Sequence, residues 1–195
     1  MRGAVKLAHG VGESIHDRTG LPIFFYGEAA LRAETRDLPD IRRGGLANLI
    51  GGGKGVLVPD LGTRISAETG VVCVGARGPL IAFNVNIRSD LSVARSIAAT
   101  IRESGGGLPG VRALTFPMRQ GICQISMNLT QPELAGIDLA FDTIAAAADG
   151  AAQVLDCEVV GLVPARFLPD PEKQAARLLK QPGLCLEAKL RSSSS

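Results

Sequence analysis

Two stretches of alternating sequence decide the fold that we predict: LIAFNVNI at residues 80–87 and ICQISMNL at residues 122–129. Side chains alternate between the two faces of a β-strand, so every second residue shares a face. One set of alternate residues in each stretch is apolar, and the other set is small or polar. Each stretch is therefore predicted to be a strand with one covered and one polar face. The polar positions are Asn84, Asn86, Gln124, Ser126 and Asn128.

The segments around these strands predict the ferredoxin-like split βαβ arrangement. A helix capped by Ser89 or Asp90 follows the first strand, because apolar residues recur there at helical spacing. The remaining predicted elements are a strand over 111–118, a helix over 133–148 and a closing strand over 158–163. In this order of elements the first and third strands, 80–87 and 122–129, are neighbours in the middle of the sheet. A further strand over 71–75 is predicted to lead into this region.

The first part of the chain predicts a smaller α/β region. A helix is expected over 2–19, a buried strand over 21–26 and a second helix over 38–49. The glycine-rich stretch 51–55 contains Lys54, as a phosphate-binding loop would. However, Lys54 is followed by glycine instead of Ser or Thr, so we interpret the stretch as a linker.

Composition excludes several classes of protein. The net charge is +2 and the basic residues are scattered, which does not favour a nucleic-acid-binding surface. The sequence has no long apolar run and no apolar N-terminal segment, so neither a membrane protein nor a secreted one is expected. Its four cysteines are far apart, which favours reduced thiols in the cytoplasm over disulfides or a zinc site.

The polar strand face has two interpretations. An antiparallel sheet commonly leaves one face in water, which would make these residues an ordinary solvated surface. Asparagine is depleted in strands, however, so three asparagines at central positions suggest a lining for a polar ligand. Arg77, in the turn beside this face, either holds a carboxylate or is a solvated turn residue. His9 and His16 are interpreted as helix-surface residues, and Cys123 as a buried inert thiol.

Several further motifs, in family order, resemble those of the formiminotransferase domain. They are LPIFFYGEAA at 21–30, LPDIRRG at 38–44, PDLG at 59–62, GAR at 75–77 and VVGLVP at 159–164, together with the two strands quoted above. The resemblance implies transfer of a formimino group from N-formimino-L-glutamate to tetrahydrofolate, in histidine degradation. It implies two α/β halves with folate between them, and therefore tetrahydrofolate as co-substrate.

The resemblance also implies the residues of the site. Pro59, Asp60 and Gly62 would contact folate, while Arg77 and the polar positions of the two strands would bind substrate. At position 61 the family commonly has Phe where this chain has Leu, which removes an aromatic contact with the pterin. The family's acid/base histidine precedes the helix matching residues 6–17, so His9 and His16 do not inherit its role. No catalytic or metal-binding residue is therefore assigned.

On this basis the predicted fold class is α+β, with a partial α/β N-terminal subdomain before the ferredoxin-like one. The expected boundaries are 1–62, 70–168, and a C-terminal helix with a disordered tail over 169–195. The chain is expected to be inactive alone. It would then be a folate- or amino-acid-binding module, or a subunit completed by a separate chain. Strand 21–26 is expected to have an unpaired edge and too little covering, which predicts such an association or a homo-oligomer, unless segment 184–190 supplies a substitute strand.

Overall fold

The computed structural model describes residues 1–51, 56–179 and 181–193, and the fold is α+β. The described residues form two compact units, Met1–Gly78 and Pro79–Ser195, and each is considered by itself. The predicted glycine-rich linker with Lys54 falls on residues 52–55, outside the described residues. None of the described helices is long and apolar enough to cross a membrane.

The first unit contains a long helix, two short helices and a parallel pair of strands. These are α1 Arg2–Thr19, β1 Ile23–Gly27, α2 Leu38–Ile41, α3 Gly45–Ile50 and β2 Val72–Ala76. Helix α1 has the predicted bounds and ends at Gly20, whose φ of 69° allows its N–H to reach the carbonyl of His16. The prediction of one helix over 38–49 was wrong. Gly44 and Gly45 both adopt positive φ, 74° and 68°, and this separates α2 from α3.

Strand β2 pairs with β1 and not with the second region, where the sequence analysis had placed it. The two strands run parallel, with Ile23 opposite Val72 and Phe25 opposite Val74. Both faces of β1 are buried. Ile23 and Phe25 pack with Ala8 of α1, and Phe24 packs on the other side with residues of α2 and α3. The expectation that this strand would be poorly covered was therefore wrong.

The second unit has the predicted order strand–helix–strand–strand–helix–strand. Its elements are β3 Ile81–Arg88, α4 Leu91–Ile101, β4 Val111–Pro117, β5 Ile122–Leu129, α5 Ile137–Ala148 and β6 Gln153–Val160. The antiparallel sheet has the order β4-β5-β3-β6. Strands β3 and β5 lie side by side, with Asn84 opposite Ser126 and Asn86 opposite Gln124. The predicted central pair is confirmed.

One face of this sheet packs against α4 and α5 and forms the main core. Phe83, Val85, Ile125 and Met127 are buried there with Phe141 of α5. Burying a side chain of this size stabilises a fold by roughly 1.5–3 kcal/mol. The apolar alternation of β3 and β5 thus determines which face receives the helices, and the polar positions point away from them.

Two boundaries near the C-terminus differ from prediction. Strand β6 begins at Gln153, earlier than the predicted 158, so Asp156 and Glu158 both lie within the sheet. Segment 184–190 does not form a substitute strand. It makes a single bridge, from Cys185 to Val163, and then enters the helix α7 Leu186–Ser192, which follows the short helix α6 Gln174–Leu178. The Gln181 side chain accepts the N–H of Val159 at 2.7 Å and so caps the β6 edge.

Candidate functional site

The face of the four-stranded sheet opposite α4 and α5 is polar, and we call it the open face. The predicted polar residues all lie on it, since their strand neighbours point into the core. Its polar side chains on β3, β5 and β6 include Asn84, Asn86, Gln124, Ser126, Asn128, Asp156 and Glu158, and the cations Arg88 of β3 and Arg112 of β4 share the face. The shared placement of the first five is confirmed, whereas their role as substrate ligands stays a prediction.

Amides and carboxylates on the open face form one connected network. Asn84 Nδ2 donates to Glu158 Oε1 at 2.8 Å, and Asn86 Nδ2 donates to Asp156 Oδ1 at 2.6 Å. Gln124 Nε2 donates both to Glu158 Oε1 at 3.2 Å and to Asn86 Oδ1 at 3.1 Å. An ionised carboxylate can only accept, so each amide must turn its NH₂ group toward it. The network therefore fixes the rotamers of three amides and links three adjacent strands.

Asn84 is the most buried side chain of this network and is only 7% exposed. A buried side-chain amide is tolerated where its polar atoms find partners. The strand register provides one, since Asn84 lies opposite Glu158 on β6 as well as opposite Ser126 on β5. The central polar position is therefore held in place by a charged partner.

Sequence reasoning missed Asp156 and Glu158 as part of this face. The closing strand was expected to begin at residue 158. Asp156 was therefore placed outside the sheet, and Glu158 was placed at the start of the strand with no assigned face. The signal was present in QVLDCEVV at 153–160, where Asp156 and Glu158 alternate with Cys157 and Val159. Because Asp156 and Glu158 are charged, the alternation of this segment was not recognised as that of a strand, although its apolar positions support one.

The edge strand β4 adds an apolar border that was also missed. Leu114 and Phe116 point to the open face, opposite Ser126 and Gln124 of β5, and are 63% and 46% exposed. An exposed aromatic side chain beside polar groups is a surface on which a flat ring can stack. The open face thus has a polar centre and one apolar edge.

The other predicted site residues, Pro59, Asp60, Gly62 and Arg77, belong to the first unit. Asp60 Oδ2 accepts the backbone N–H of Phe25 at 2.7 Å, and Oδ1 forms an ion pair with Arg32 at 3.0 Å. Its side chain is 3% exposed, so this carboxylate ties the edge of β1 to the loop. Gly62 has a φ of 77°, which favours glycine at this turn.

Pro59 is half-buried beside Asp60, whereas Arg77 is exposed. Arg77 donates from Nη1 to the carbonyl of Gly78 at 3.1 Å. The structure therefore brings together the polar residues of the second unit in one group and Pro59, Asp60 and Gly62 in another. Their roles toward substrate and folate stay predictions.

Both histidines are held by backbone carbonyls in the first unit. His9 donates from Nε2 to Ala29 at 2.8 Å, and His16 donates from Nδ1 to Leu21 at 2.8 Å. A carbonyl oxygen only accepts, so these contacts fix the tautomer of each ring. Each histidine thereby joins α1 to a neighbouring loop. Neither stands on the open face.

The two buried thiols of the sheet, Cys123 and Cys157, both contact backbone carbonyls. Burial, with the negative charge of Asp156 beside it, raises the pKa of Cys157 from 9.0 to about 12. Its sulfur is neutral at physiological pH and donates to the carbonyl of Ala175 at 3.4 Å. Cys123 is buried and lies 3.5 Å from the carbonyl of Ser89. Among the described residues, no group of three or more His, Cys, Asp or Glu could hold a metal ion.

Two family models and several known proteins match this chain. Residues 1–77 match the model of the formiminotransferase domain, N-terminal subdomain, and residues 82–178 match that of the formiminotransferase domain. A glutamate formimidoyltransferase of Streptococcus pyogenes serotype M1 is 37% identical over 174 residues, 85% of this chain and 57% of that protein. A glutamate formimidoyltransferase of Thermoplasma acidophilum is 35% identical over 187 residues, 91% of this chain and 61% of that protein.

A longer relative is the formimidoyltransferase-cyclodeaminase of Sus scrofa, 32% identical over 180 residues, 87% of this chain and 33% of that protein. The chain thus spans about six tenths of the length of the two microbial relatives. The matched regions include most of both units and all strands of the open face except the first residue of β3, Ile81. By these matches, which together cover most of its length, the chain belongs to the formiminotransferase-domain family.

Proposed function

We propose that this chain serves glutamate formimidoyltransferase chemistry, the transfer of a formimino group from N-formimino-L-glutamate to tetrahydrofolate in histidine degradation. The single observation that carries the proposal is the connected amide and carboxylate network on the open face. It lies within the matched formiminotransferase domain and is built from side chains with fixed orientation. Family membership supplies the reaction class, and the network supplies a site in which a polar substrate can be oriented.

The physical demands of the reaction fit such a surface. Both substrates carry many hydrogen-bonding groups, and tetrahydrofolate also carries flat rings. A site for them needs polar groups in defined positions and an apolar area beside them. Gln124 and Glu158 supply the first, and Leu114 with Phe116 supplies the second.

Proton transfer is the remaining requirement. An amine attacks the amidinium carbon, a tetrahedral intermediate forms, and a positioned acid/base moves protons between the two nitrogens. His9 and His16 are both engaged with loop carbonyls of the first unit, so neither is proposed for this role. We therefore expect the 195-residue polypeptide by itself to bind ligand without measurable transfer. A general acid/base typically contributes about 10²–10⁴-fold in rate.

Two alternatives of a different kind remain part of the proposal. The chain is a non-catalytic module that binds folate or an amino acid on the open face, or it is a subunit that acts with a separate chain or with copies of itself. The two-stranded sheet of the first unit supports the second alternative. Within the described residues β2 has β1 as its partner on one side, and a strand edge of this kind invites pairing with another chain.

The test combines binding and turnover on the purified polypeptide. Calorimetry with tetrahydrofolate and with formiminoglutamate measures affinity, and mass spectrometry measures formation of formiminotetrahydrofolate. We expect Asn84→Ala to weaken binding at least about 10-fold, since it removes the buried amide that orients Glu158. Asn48→Ala is the matched control, because Asn48 is an exposed residue of α3. Light scattering on the same sample gives the oligomeric state.

Each outcome has a defined meaning. Equal affinities for wild type, Asn84→Ala and Asn48→Ala would place the site elsewhere and contradict the proposal for the open face. Turnover by the polypeptide that Asn84→Ala abolishes would confirm the site and show that the expected inactivity is wrong. Binding without turnover, restored by adding a second chain of the family, would favour the subunit alternative.

A further inference from the structure

The centre of the open face presents two carboxylates, Asp156 and Glu158, toward which amide hydrogens are directed. Gln124 uses both amide hydrogens within the network, on Asn86 and Glu158. Asn84 and Asn86 each direct an amide hydrogen at a carboxylate. The bonds found among the described residues reach Oε1 of Glu158 and Oδ1 of Asp156. The second oxygen of each carboxylate and the amide oxygens of Asn84 and Gln124 stay available as acceptors.

The two carboxylates change which ligand groups the centre of the open face can bind. Amides alone would bind hydrogen-bond donors and acceptors equally well. Here the amide hydrogens are directed at two carboxylates, which can only accept. A ligand carboxylate placed beside Glu158 would meet two negative charges, because the cations of this face, Arg88 and Arg112, lie at the end of β3 and on the edge strand β4. A planar group with several N–H donors would instead meet a set of acceptors that are already oriented.

We propose that Glu158, oriented by Asn84 and Gln124 and flanked by Asp156, is the acceptor for a planar N–C–N donor group of a substrate. This inference rests on the proposed function for its choice of ligands. Two groups share that chemistry: the cationic amidinium of the formimino donor and the 2-amino-4-oxopyrimidine edge of the pterin. Both present adjacent N–H bonds in one plane, the arrangement that a carboxylate receives best.

The apolar edge of the sheet helps to separate these two sources. Glu158 lies on β6 and Phe116 on β4, at opposite edges of the four-stranded sheet. Three inter-strand spacings place the two strands roughly 14 Å apart. A pterin with its attached aromatic ring can reach from one to the other, whereas a formimino group cannot. A contribution of Phe116 to affinity is therefore expected only if Glu158 receives the pterin edge.

The experiment uses the 195-residue polypeptide, with ¹⁵N labelling, and small probes. The probes are formamidinium, 2-amino-4-oxopyrimidine, 4-oxopyrimidine without the amino group, and tetramethylammonium, which has charge but no N–H donor. We expect a donor probe to shift the side-chain amide signals of Asn84 and Gln124 in a saturable way. Tetramethylammonium and 4-oxopyrimidine are expected to leave them nearly unchanged.

The decisive variant is Glu158→Gln. Its amide oxygen can still accept from Asn84 and Gln124, so its NH₂ group replaces the outward acceptor oxygen with a donor. We expect at least about 10-fold weaker binding of the probe that shifts these signals, which is about 1.4 kcal/mol. Glu172→Gln makes the same chemical change at an exposed position and is expected to leave binding unaltered.

The outcomes separate the sources and the alternatives. If Glu158→Gln loses binding of formamidinium alone, Glu158 is the acceptor for the amidinium. If Glu158→Gln loses binding of the aminopyrimidine, and Phe116→Ala also weakens tetrahydrofolate binding, Glu158 is the acceptor for the pterin edge. Equal shifts by tetramethylammonium, or no shift with either donor probe, overturn the proposal. If Glu158→Gln does not fold, the wild-type titrations decide by themselves. Probe binding that depends on Glu158, without affinity for either whole substrate, would refute the proposed function and leave this inference standing.

Discussion

The two units of this chain differ in how many faces of a strand or sheet their helices cover. In the first unit, helices cover both faces of β1, and the buried carboxylate of Asp60 is used on a backbone N–H and on Arg32. In the second unit, helices cover one face, and polar side chains on the other bond mainly to one another. Polar groups that bind the backbone hold a fold together. Polar groups linked across the open face are the ones that we propose as acceptors for a ligand.

The largest effect that would test this comparison is expected between the two faces of the second sheet. Phe83 is fully buried against the helices, whereas Phe116 stands half-exposed on the open face. We expect Phe83→Ala to lower the free energy of unfolding by about 3–5 kcal/mol, because it removes an aromatic ring and leaves a cavity. Phe116→Ala is expected to cost below about 1 kcal/mol. Urea denaturation followed by circular dichroism measures both.

A similar loss of stability in the two variants would contradict the assignment of covered and open faces. If Phe83→Ala unfolds the protein outright, Phe83→Leu gives a measurable intermediate. The comparison also separates stability from binding. Phe116→Ala would keep its fold and change at most the ligand affinity, whereas a change at Phe83 would affect stability and affinity together.

A smaller effect is expected at Asp60. The family resemblance implies that this residue contacts folate, whereas its bonds in the structure stabilise the fold. Asp60→Asn leaves the N–H of Phe25 or the guanidinium of Arg32 without its charged acceptor in a buried place. We expect a loss of about 2–3 kcal/mol in the free energy of unfolding, measured without folate. Asp40→Asn is the control, because the ion pair of Asp40 with Arg43 is exposed and is expected to contribute below about 1 kcal/mol.

Unchanged stability of Asp60→Asn with weakened folate binding would reverse this interpretation and make Asp60 a ligand-binding residue first. Loss of stability alone would assign it to the fold. Loss of both would show that a structural tie also shapes the loop that holds Pro59 and Gly62.

How far the sequence predicted the structure depended on whether the deciding interactions were local. The alternation in β3 and β5 was sufficient to predict both strands, their pairing and the shared face of Asn84 and Ser126. The parallel partner of β1 was not predictable in the same way. Residues 72–76 form an apolar strand that fits several neighbours, and only tertiary packing selects β1. The predicted open face was incomplete because the closing strand was expected to begin at residue 158, so Asp156 and Glu158 were not recognised as part of it.

The smallest expected effect tests how tightly the first unit is packed, using two glycines of α1. A Cβ atom at Gly12 would lie 2.5 Å from the ring of Phe25, which is itself buried, so Gly12→Ala must displace that ring. We expect it to cost about 1–3 kcal/mol in the free energy of unfolding. At Gly10 no atom lies within 4 Å of the added Cβ. Gly10→Ala should therefore stabilise the helix by about 0.5–1 kcal/mol, since alanine loses less backbone entropy on folding. Thermal denaturation of both variants, one change each in the same helix, compares them directly.

Opposite signs are expected if α1 packs closely on β1 through Gly12. Stabilisation by both substitutions would mean that the helix lies farther from the sheet, and the contrast between a closed first unit and an open second face would lose its basis.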